Sequence, residues 1–78
     1  FSRMLLKEAY EEYVKIYGSG INFVQFRESI SKYAVAKDST GSYIYDETIA
    51  EAFHDCYLNG SNAKPASRMI MKVLETKL

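Results

Sequence analysis

Cysteine and long apolar runs are scarce in this chain, and neither sign of charge is in excess. One cysteine, Cys56, cannot build a disulfide framework, so we expect a reducing, intracellular compartment. No apolar run approaches the length of a membrane span and no signal-peptide pattern opens the chain, so no membrane partner is expected. Ten Lys and Arg residues balance ten Asp and Glu residues, which excludes a generally basic nucleic-acid-binding surface and a polyacidic tail.

The length and composition indicate one small globular domain. The 78 residues are 47% hydrophobic and 14% aromatic, which fits a single domain over residues 1–78 rather than a disordered chain. A chain of this size buries only about 60–65% of its unfolded surface, so its core is small and a substrate cleft has little room. The first residue is Phe1 rather than methionine, which suggests a piece of a longer protein.

Apolar periodicity predicts helices in the first half of the chain. Apolar residues recur at helical spacing over Ser2–Tyr17, and Gly18 supplies a residue that ends a helix at little cost. Asn22 followed by Gln25 three residues later is the pattern of a capping box. The second helix is therefore predicted from about Phe23 to about Val35.

The second half repeats the order of helix, glycine-containing turn and helix. Asp46 is the predicted cap of a third helix that ends at Asn59-Gly60, and Asn62 is the predicted cap of a fourth helix with Pro65 in its first turn. Together these elements predict an all-α, four-helix domain made of two helical hairpins. The residues expected to share one core are Phe23, Phe26, Phe53, Ile70 and Leu74.

Residues 34–46 allow two interpretations. The turn composition of Lys37–Ser42 favours a loop whose aromatic side chains pack onto the bundle. The β-prone run Tyr43-Ile44-Tyr45 allows a small β-hairpin instead, pairing Tyr33–Lys37 with Ser42–Asp46 as in a winged-helix domain. Ala34 and Ala36 are poor strand residues, which favours the loop.

The sequence contains no complete motif for metal binding or catalysis. The only candidate calcium loop, Asp38 to Ile49, has Tyr43 where a glycine is needed and Ile49 where a bidentate glutamate is needed. His54 and Cys56 point about 200° apart on a helix, so they cannot share a metal ion. No nucleophile converges on His54 locally. We therefore expect no metal, no cofactor and no enzymatic activity, and a solvated carboxylate face at Glu47, Glu51 and Asp55.

Charge is distributed unevenly along the chain. Five acidic residues and no Lys or Arg fall between Asp38 and Leu58, whereas basic residues predominate after Asn59. Lys64, Arg68 and Lys72 are four residues apart, which predicts one basic stripe on the fourth helix. A basic helix after a helix and a tight turn is compatible with a helix-turn-helix that reads nucleic acid.

Two functional hypotheses follow from these patterns. Seven tyrosines are many for this length, and Tyr43, Ile44 and Tyr45 are the first candidates for a contact surface with another protein. The leading hypothesis is thus a non-enzymatic protein-interaction or regulatory module. The alternative is a DNA-binding helix-turn-helix or winged-helix domain that uses the basic helix 63–77, with Lys64, Arg68 and Lys72 in contact with nucleic acid.

Overall fold

Four α-helices and two short 3-10 helices form the whole fold, and the all-α prediction is confirmed. The structure is a computed structural model that describes residues 1–78. The α-helices are α1 (Ser2–Tyr17), α2 (Phe23–Glu28), α3 (Tyr45–Asn59) and α4 (Pro65–Lys77), and the 3-10 helices are η1 (Lys32–Val35) and η2 (Gly60–Asn62).

The core lies where α1, α3 and α4 meet. Helix α4 packs on both α1 and α3, while η1 packs against α3, and α2 packs against η1 and α1. Eleven buried residues form one cluster, namely Leu5, Leu6, Ala9, Phe26, Ile30, Ala34, Ala52, Ala66, Met69, Ile70 and Val73. Only α1 and α4 contribute large aliphatic side chains to it in numbers, so their interface supplies much of the apolar burial.

The second predicted helix is shorter than expected, because α2 ends at Glu28 rather than near Val35. The capping box at its start is confirmed, since the Asn22 and Gln25 side chains each accept a bond from the other residue's backbone at 2.8 Å. At its end, the Ser29 hydroxyl donates to the Phe26 carbonyl at 2.7 Å, a local bond that competes with helix continuation. The chain then turns and resumes as η1.

Neither of the two predicted side-chain caps in the second half is present. Helix α3 begins at Tyr45, so Asp46 lies inside the first turn and accepts a hydrogen bond from the Ser2 hydroxyl instead. Helix α4 begins at Pro65. Proline is favoured at the first position of a helix, because its missing N–H would have no partner inside the helix there. Asn62 belongs to η2, and the N–H of Lys64 is bound by the Asp55 carboxylate at 2.9 Å. A neighbouring helix therefore supplies the cap that the local sequence does not.

Residues 34–46 form a turn with a single antiparallel bridge between Lys37 and Tyr43, and no strand. Asp38 holds the turn, because one of its carboxylate oxygens accepts from the N–H groups of Thr40 and Ser42 at 2.8 and 3.1 Å. The loop interpretation is closer to this outcome than the winged-helix one. A winged-helix hairpin would require Tyr33–Val35 to form a strand, but these residues belong to the 3-10 helix η1.

Phe53 was expected in the core, and that expectation is wrong: its side chain is 60% exposed. Helix α3 instead turns a stripe of small residues inward, with Thr48 and Ala52 fully buried. The Thr48 hydroxyl donates to the carbonyl of Ala34, which fixes the rotation of α3 about its axis. Of the other expected core residues, Phe26 and Ile70 are fully buried. Phe23 and Leu74 are half-buried and pack against the edge of the core cluster.

Replacing Gly18 or Gly60 with alanine is expected to lower the free energy of unfolding of the protein by about 1 kcal/mol in each case. Both have positive φ, at 87° and 53°, where a side chain is strained. Gly20 is the matched control: it lacks positive φ, and an added Cβ meets no atom within 4 Å at any of the three sites. Urea unfolding of the three variants measures the difference; equal losses at Gly18 and Gly20 would contradict the conformational explanation.

Candidate protein-contact surface

An exposed row of residues runs along the solvent side of α3. Asp46, Ala50, Phe53 and Tyr57 are all exposed and follow helical spacing, so they share one face, which we call the α3 outer row. Phe53 and Tyr57 stack on each other with ring centroids 6.3 Å apart and planes 13° apart. Tyr57 is 78% exposed, so the stack presents its rings to solvent rather than to the core.

An open apolar groove of about 520 Å³ lies beside this row. It is bordered by the start of α1, the face of α3 and the end of α4, and its lining residues are Phe1, Ser2, Asp46, Ile49, Ala50, Phe53 and Leu74. Asp46 carries the only side-chain charge in the lining. The groove and the α3 outer row form one contiguous patch, because both include Asp46, Ala50 and Phe53. Phe53 is the largest of these shared side chains.

The predicted contact residues Tyr43, Ile44 and Tyr45 are half-buried, and two of them enclose an arginine. The guanidinium of Arg27 lies 4.4 Å from the ring centroids of Phe23 and Tyr43, and 5.0 Å from that of Tyr45. Arg27 is 1% exposed, and its Nη1 atom has no hydrogen-bond partner. We call Arg27 and the three rings around it, those of Phe23, Tyr43 and Tyr45, the Arg27 cluster. Each tyrosine therefore has one ring surface occupied inside the protein.

The Arg27 guanidinium is held by rings rather than by a carboxylate. Burial lowers the pKa of Arg27, while electrostatic interactions with Tyr45 and Tyr43 oppose that shift. Its Nε donates a long hydrogen bond of 3.4 Å to the Phe23 carbonyl. Attraction to aromatic faces thus replaces an ion pair in keeping a buried cation beside the turn.

Tyr43, Ile44 and Tyr45 also line a second groove, of about 420 Å³, that adjoins the apolar one. The two grooves share Phe1, Ser2 and Asp46, and the second is completed by Arg3 and Asp38. The residues predicted from the sequence are therefore placed at the edge of the patch that α3 dominates.

The carboxylates of α3 are not one solvated stripe. Glu47 is exposed, but Glu51 accepts a hydrogen bond of 2.6 Å from the Ser31 hydroxyl. Asp55 accepts from the Asn59 amide at 2.7 Å and from the Lys64 N–H. The Ser67 hydroxyl lies near Asp55 but outside hydrogen-bonding geometry. Two of the three predicted carboxylates therefore have structural roles in connecting helices.

The stabilisation that Asp55 provides is expected to disappear in acid. Burial by itself would raise the pKa of Asp55, but the nearby Ser67 hydroxyl and the hydrogen bonds from Lys64 and Asn59 lower it overall, below its ordinary value. A lowered folded-state pKa gives stability that is present above the ordinary value and is lost as pH falls through the folded value. Asp55→Asn should cost about 1 kcal/mol at pH 7 and progressively less below pH 4. Urea unfolding across pH checks this against Glu28→Gln, an exposed carboxylate; a loss that persists unchanged at pH 2 would contradict it.

The basic stripe is exposed on α4, as predicted, but it is flanked by other polar groups. The Lys64 ammonium donates to the Ile30 carbonyl at 2.9 Å, which satisfies an acceptor left free near the end of α2. Lys72 shares a shallow groove with Glu8 and Glu12 of α1. Arg68 is exposed and makes no ion pair. Of the three predicted nucleic-acid contacts, Arg68 is therefore the one that neither donates to a carbonyl, as Lys64 does, nor lies in a groove with glutamates, as Lys72 does.

His54 and Cys56 do not converge on any reactive centre. His54 is exposed, whereas Cys56 is half-buried between α3 and α4. Burial, with Asp55 nearby, raises the pKa of the Cys56 thiol, which disfavours the reactive thiolate. No three His, Cys, Asp or Glu side chains cluster as metal ligands.

Sequence periodicity misses the α3 outer row, because it assigns Phe53 to the core and Asp46 to a helix cap. Phe53 and Tyr57 look like buried positions because large aromatic residues usually bury area, while Thr48 and Ala52 are too small to stand out as the inward stripe. The signal that could have found the row is that pair of small residues four apart, opposite which the aromatics must face solvent.

None of the helices combines the length and the apolar character that crossing a bilayer requires. Comparisons with known protein families, with curated proteins and with solved structures found no match to this chain.

Proposed function

We propose that this domain is a non-enzymatic protein-interaction module whose contact surface is the α3 outer row together with the apolar groove. The observation that carries the proposal is the exposed Phe53–Tyr57 stack beside that groove. Aromatic side chains grouped on a surface are typical of binding sites, where they bury large areas with few rotatable bonds. The patch gives a partner both a ridge and an adjacent depression to fill.

The energetics support binding rather than folding as the role of these aromatics. A fully buried Phe contributes about 1.5–3 kcal/mol of apolar burial, most of which Phe53 forgoes in the free domain. Helix α3 is nevertheless anchored on its other side by Thr48 and Ala52. Helix α3 is therefore already formed and packed in the domain before a partner arrives, which lowers the entropic cost of binding.

Tyr43, Ile44 and Tyr45 belong to the proposal as the edge of the surface. They line the groove that continues from the apolar one through Phe1, Ser2 and Asp46. Because Tyr43 and Tyr45 also enclose Arg27, replacing them alters stability as well as contact. Phe53 and Tyr57 are cleaner probes of binding, since their outward rings are largely unused in the folded domain.

Quantitative affinity capture with variants tests this proposal. Phe53→Ala and Tyr57→Ala should each reduce retention of a bound protein by about 10-fold or more, as expected for central aromatic contacts. Tyr33→Ala is the matched control: Tyr33 is 62% exposed, close to the 60% of Phe53, but lies on η1 away from the groove. Retention by both α3 variants equal to that of the Tyr33 variant, with all three melting alike, would exclude this surface.

Nucleic-acid binding through α4 is the second candidate, supported by the exposure of Lys64, Arg68 and Lys72 in one row. It has weaker support, because Lys64 already binds a carbonyl and Lys72 lies beside two glutamates. Removing a phosphate-contacting side chain should reduce the salt slope of DNA binding by about one unit. Arg68→Gln is the most direct test, and salt-dependent duplex binding lost in that variant would reverse the order of the two candidates.

A further inference from the structure

We infer that the partner segment is an amphipathic helix that carries Lys or Arg next to its apolar face; this inference rests on the proposed function and specifies its ligand. Two features of the patch select this chemistry. The first is the sign of the charge at the rim of the groove, and the second is the helical spacing of the residues a partner meets.

The charged side chains at the rim of the apolar groove are acidic. Asp46 is the only charged side chain lining the apolar groove, and Glu47 is exposed beside it on the first turn of α3. The chain has no Lys or Arg from Asp38 to Leu58, so α3 contributes no cation to this side of the molecule. The nearest lysine of the preceding turn is Lys37, whose ammonium lies 4.9 Å from the Tyr43 ring and does not line the apolar groove. Arg3 lines the adjoining groove, where Asp38 and Asp46 outnumber it. A basic partner thus gains complementarity, and an acidic partner meets repulsion.

The shape of the patch fits a helix. The α3 outer row spans eleven residue steps from Asp46 to Tyr57, about 16 Å along the axis, which is three turns. Ala50 is the small residue in the row and permits close approach of another helix next to the Phe53 ring. The fold has no strand whose edge could add an extended peptide, so binding by strand addition has no template here. Apolar residues at i, i+4, i+7 and i+11 of a partner helix would lie along the row and the groove.

Two matched synthetic helices test the inference. The probe is a 15-residue helical peptide with Leu at i, i+4, i+7 and i+11 and Lys at the flanking positions; its partner has Glu in place of every Lys. Fluorescence anisotropy of labelled peptide should give affinity for the Lys peptide at least about 10-fold higher than for the Glu peptide, falling with salt. Backbone amide shifts in the protein should concentrate at Ala50, Phe53 and Tyr57.

Variants separate the roles of charge and of apolar contact. The double substitution Asp46→Asn with Glu47→Gln should weaken Lys-peptide binding about 3–10-fold, as expected for two exposed ion pairs. Glu11→Gln with Glu28→Gln removes two exposed carboxylates elsewhere and should leave binding unchanged. Phe53→Ala should weaken both peptides, because it removes apolar contact irrespective of charge.

The outcomes that overturn the inference differ from those that overturn the proposed function. If the Lys and Glu peptides bind at Phe53 with equal affinity, the proposed docking surface stands, but its selection of a basic partner is excluded. Absence of shifts at Phe53 and Tyr57 with either peptide would exclude the docking surface itself. The chain alone should sediment as a monomer; concentration-dependent dimerisation that Phe53→Ala abolishes would assign the groove to a second copy and exclude the basic helix.

Discussion

Replacing Phe26 with alanine is expected to lower the free energy of unfolding by about 3–5 kcal/mol, the typical loss for a phenylalanine in a packed core. Phe26 is fully buried, and its ring makes edge-on contacts with Tyr10 and Tyr13, with ring centroids 5.5 and 5.1 Å away. The substitution leaves a cavity between α1 and α2 that two aromatic rings border. A domain of this length has only about 4–12 kcal/mol in total, so the variant is expected to be partly unfolded at 37 °C.

Phe53→Ala is the matched control for the Phe26 prediction, since the same atoms are removed from an exposed site. Its expected loss is below about 1 kcal/mol. Chemical denaturation followed by circular dichroism compares the two variants, and Phe26→Leu keeps the experiment measurable if the alanine variant does not fold. Similar losses for Phe26→Ala and Phe53→Ala would show that α3 is rotated differently from the structure described above.

Replacing Arg27 with alanine is expected to lower the free energy of unfolding by about 3 kcal/mol, although the residue makes no ion pair. Most of the loss arises from packing, because the side chain fills the space between Phe23, Tyr43 and Tyr45. The turn that contains Tyr43 then loses a contact with α2, because Arg27 lies on α2 and its guanidinium packs on the Tyr43 ring. Proteolysis at Lys37 should accelerate in this variant as the turn opens more often.

Arg27→Met separates packing from charge in the Arg27 cluster. Methionine fills much of the same volume, and it removes a buried cation whose Nη1 has no partner. Attraction of the guanidinium to three rings is opposed by its desolvation, so we expect the methionine variant to lie within about 1 kcal/mol of the original chain. A loss as large as that of Arg27→Ala would instead assign the stability to the interaction of the cation with the rings. Thermal denaturation of both variants makes the comparison.

Local signals in the sequence are enough to predict the helical class of this protein and most of the boundaries of its helices. Apolar spacing located α1 from Ser2 to Tyr17, and the Asn22–Gln25 box located the start of α2. Gly18, Gly60 and Pro65 marked ends and beginnings through backbone preferences that operate over a few residues. Such signals are readable because each depends on neighbours within one or two helical turns.

Contacts between distant segments set which face of α3 is buried and where α2 and the later helices begin or end. Thr48 and Ala52 occupy the core because small residues let α3 approach its neighbours closely, and this close packing turns Phe53 outward. The cap that Asp55 provides to Lys64 and the enclosure of Arg27 by aromatic rings join residues distant along the chain. Periodicity ranks the faces of a helix by hydrophobicity alone, whereas packing selects the face that fits. Phe53 and Tyr57 face solvent because on α3 those two criteria disagree.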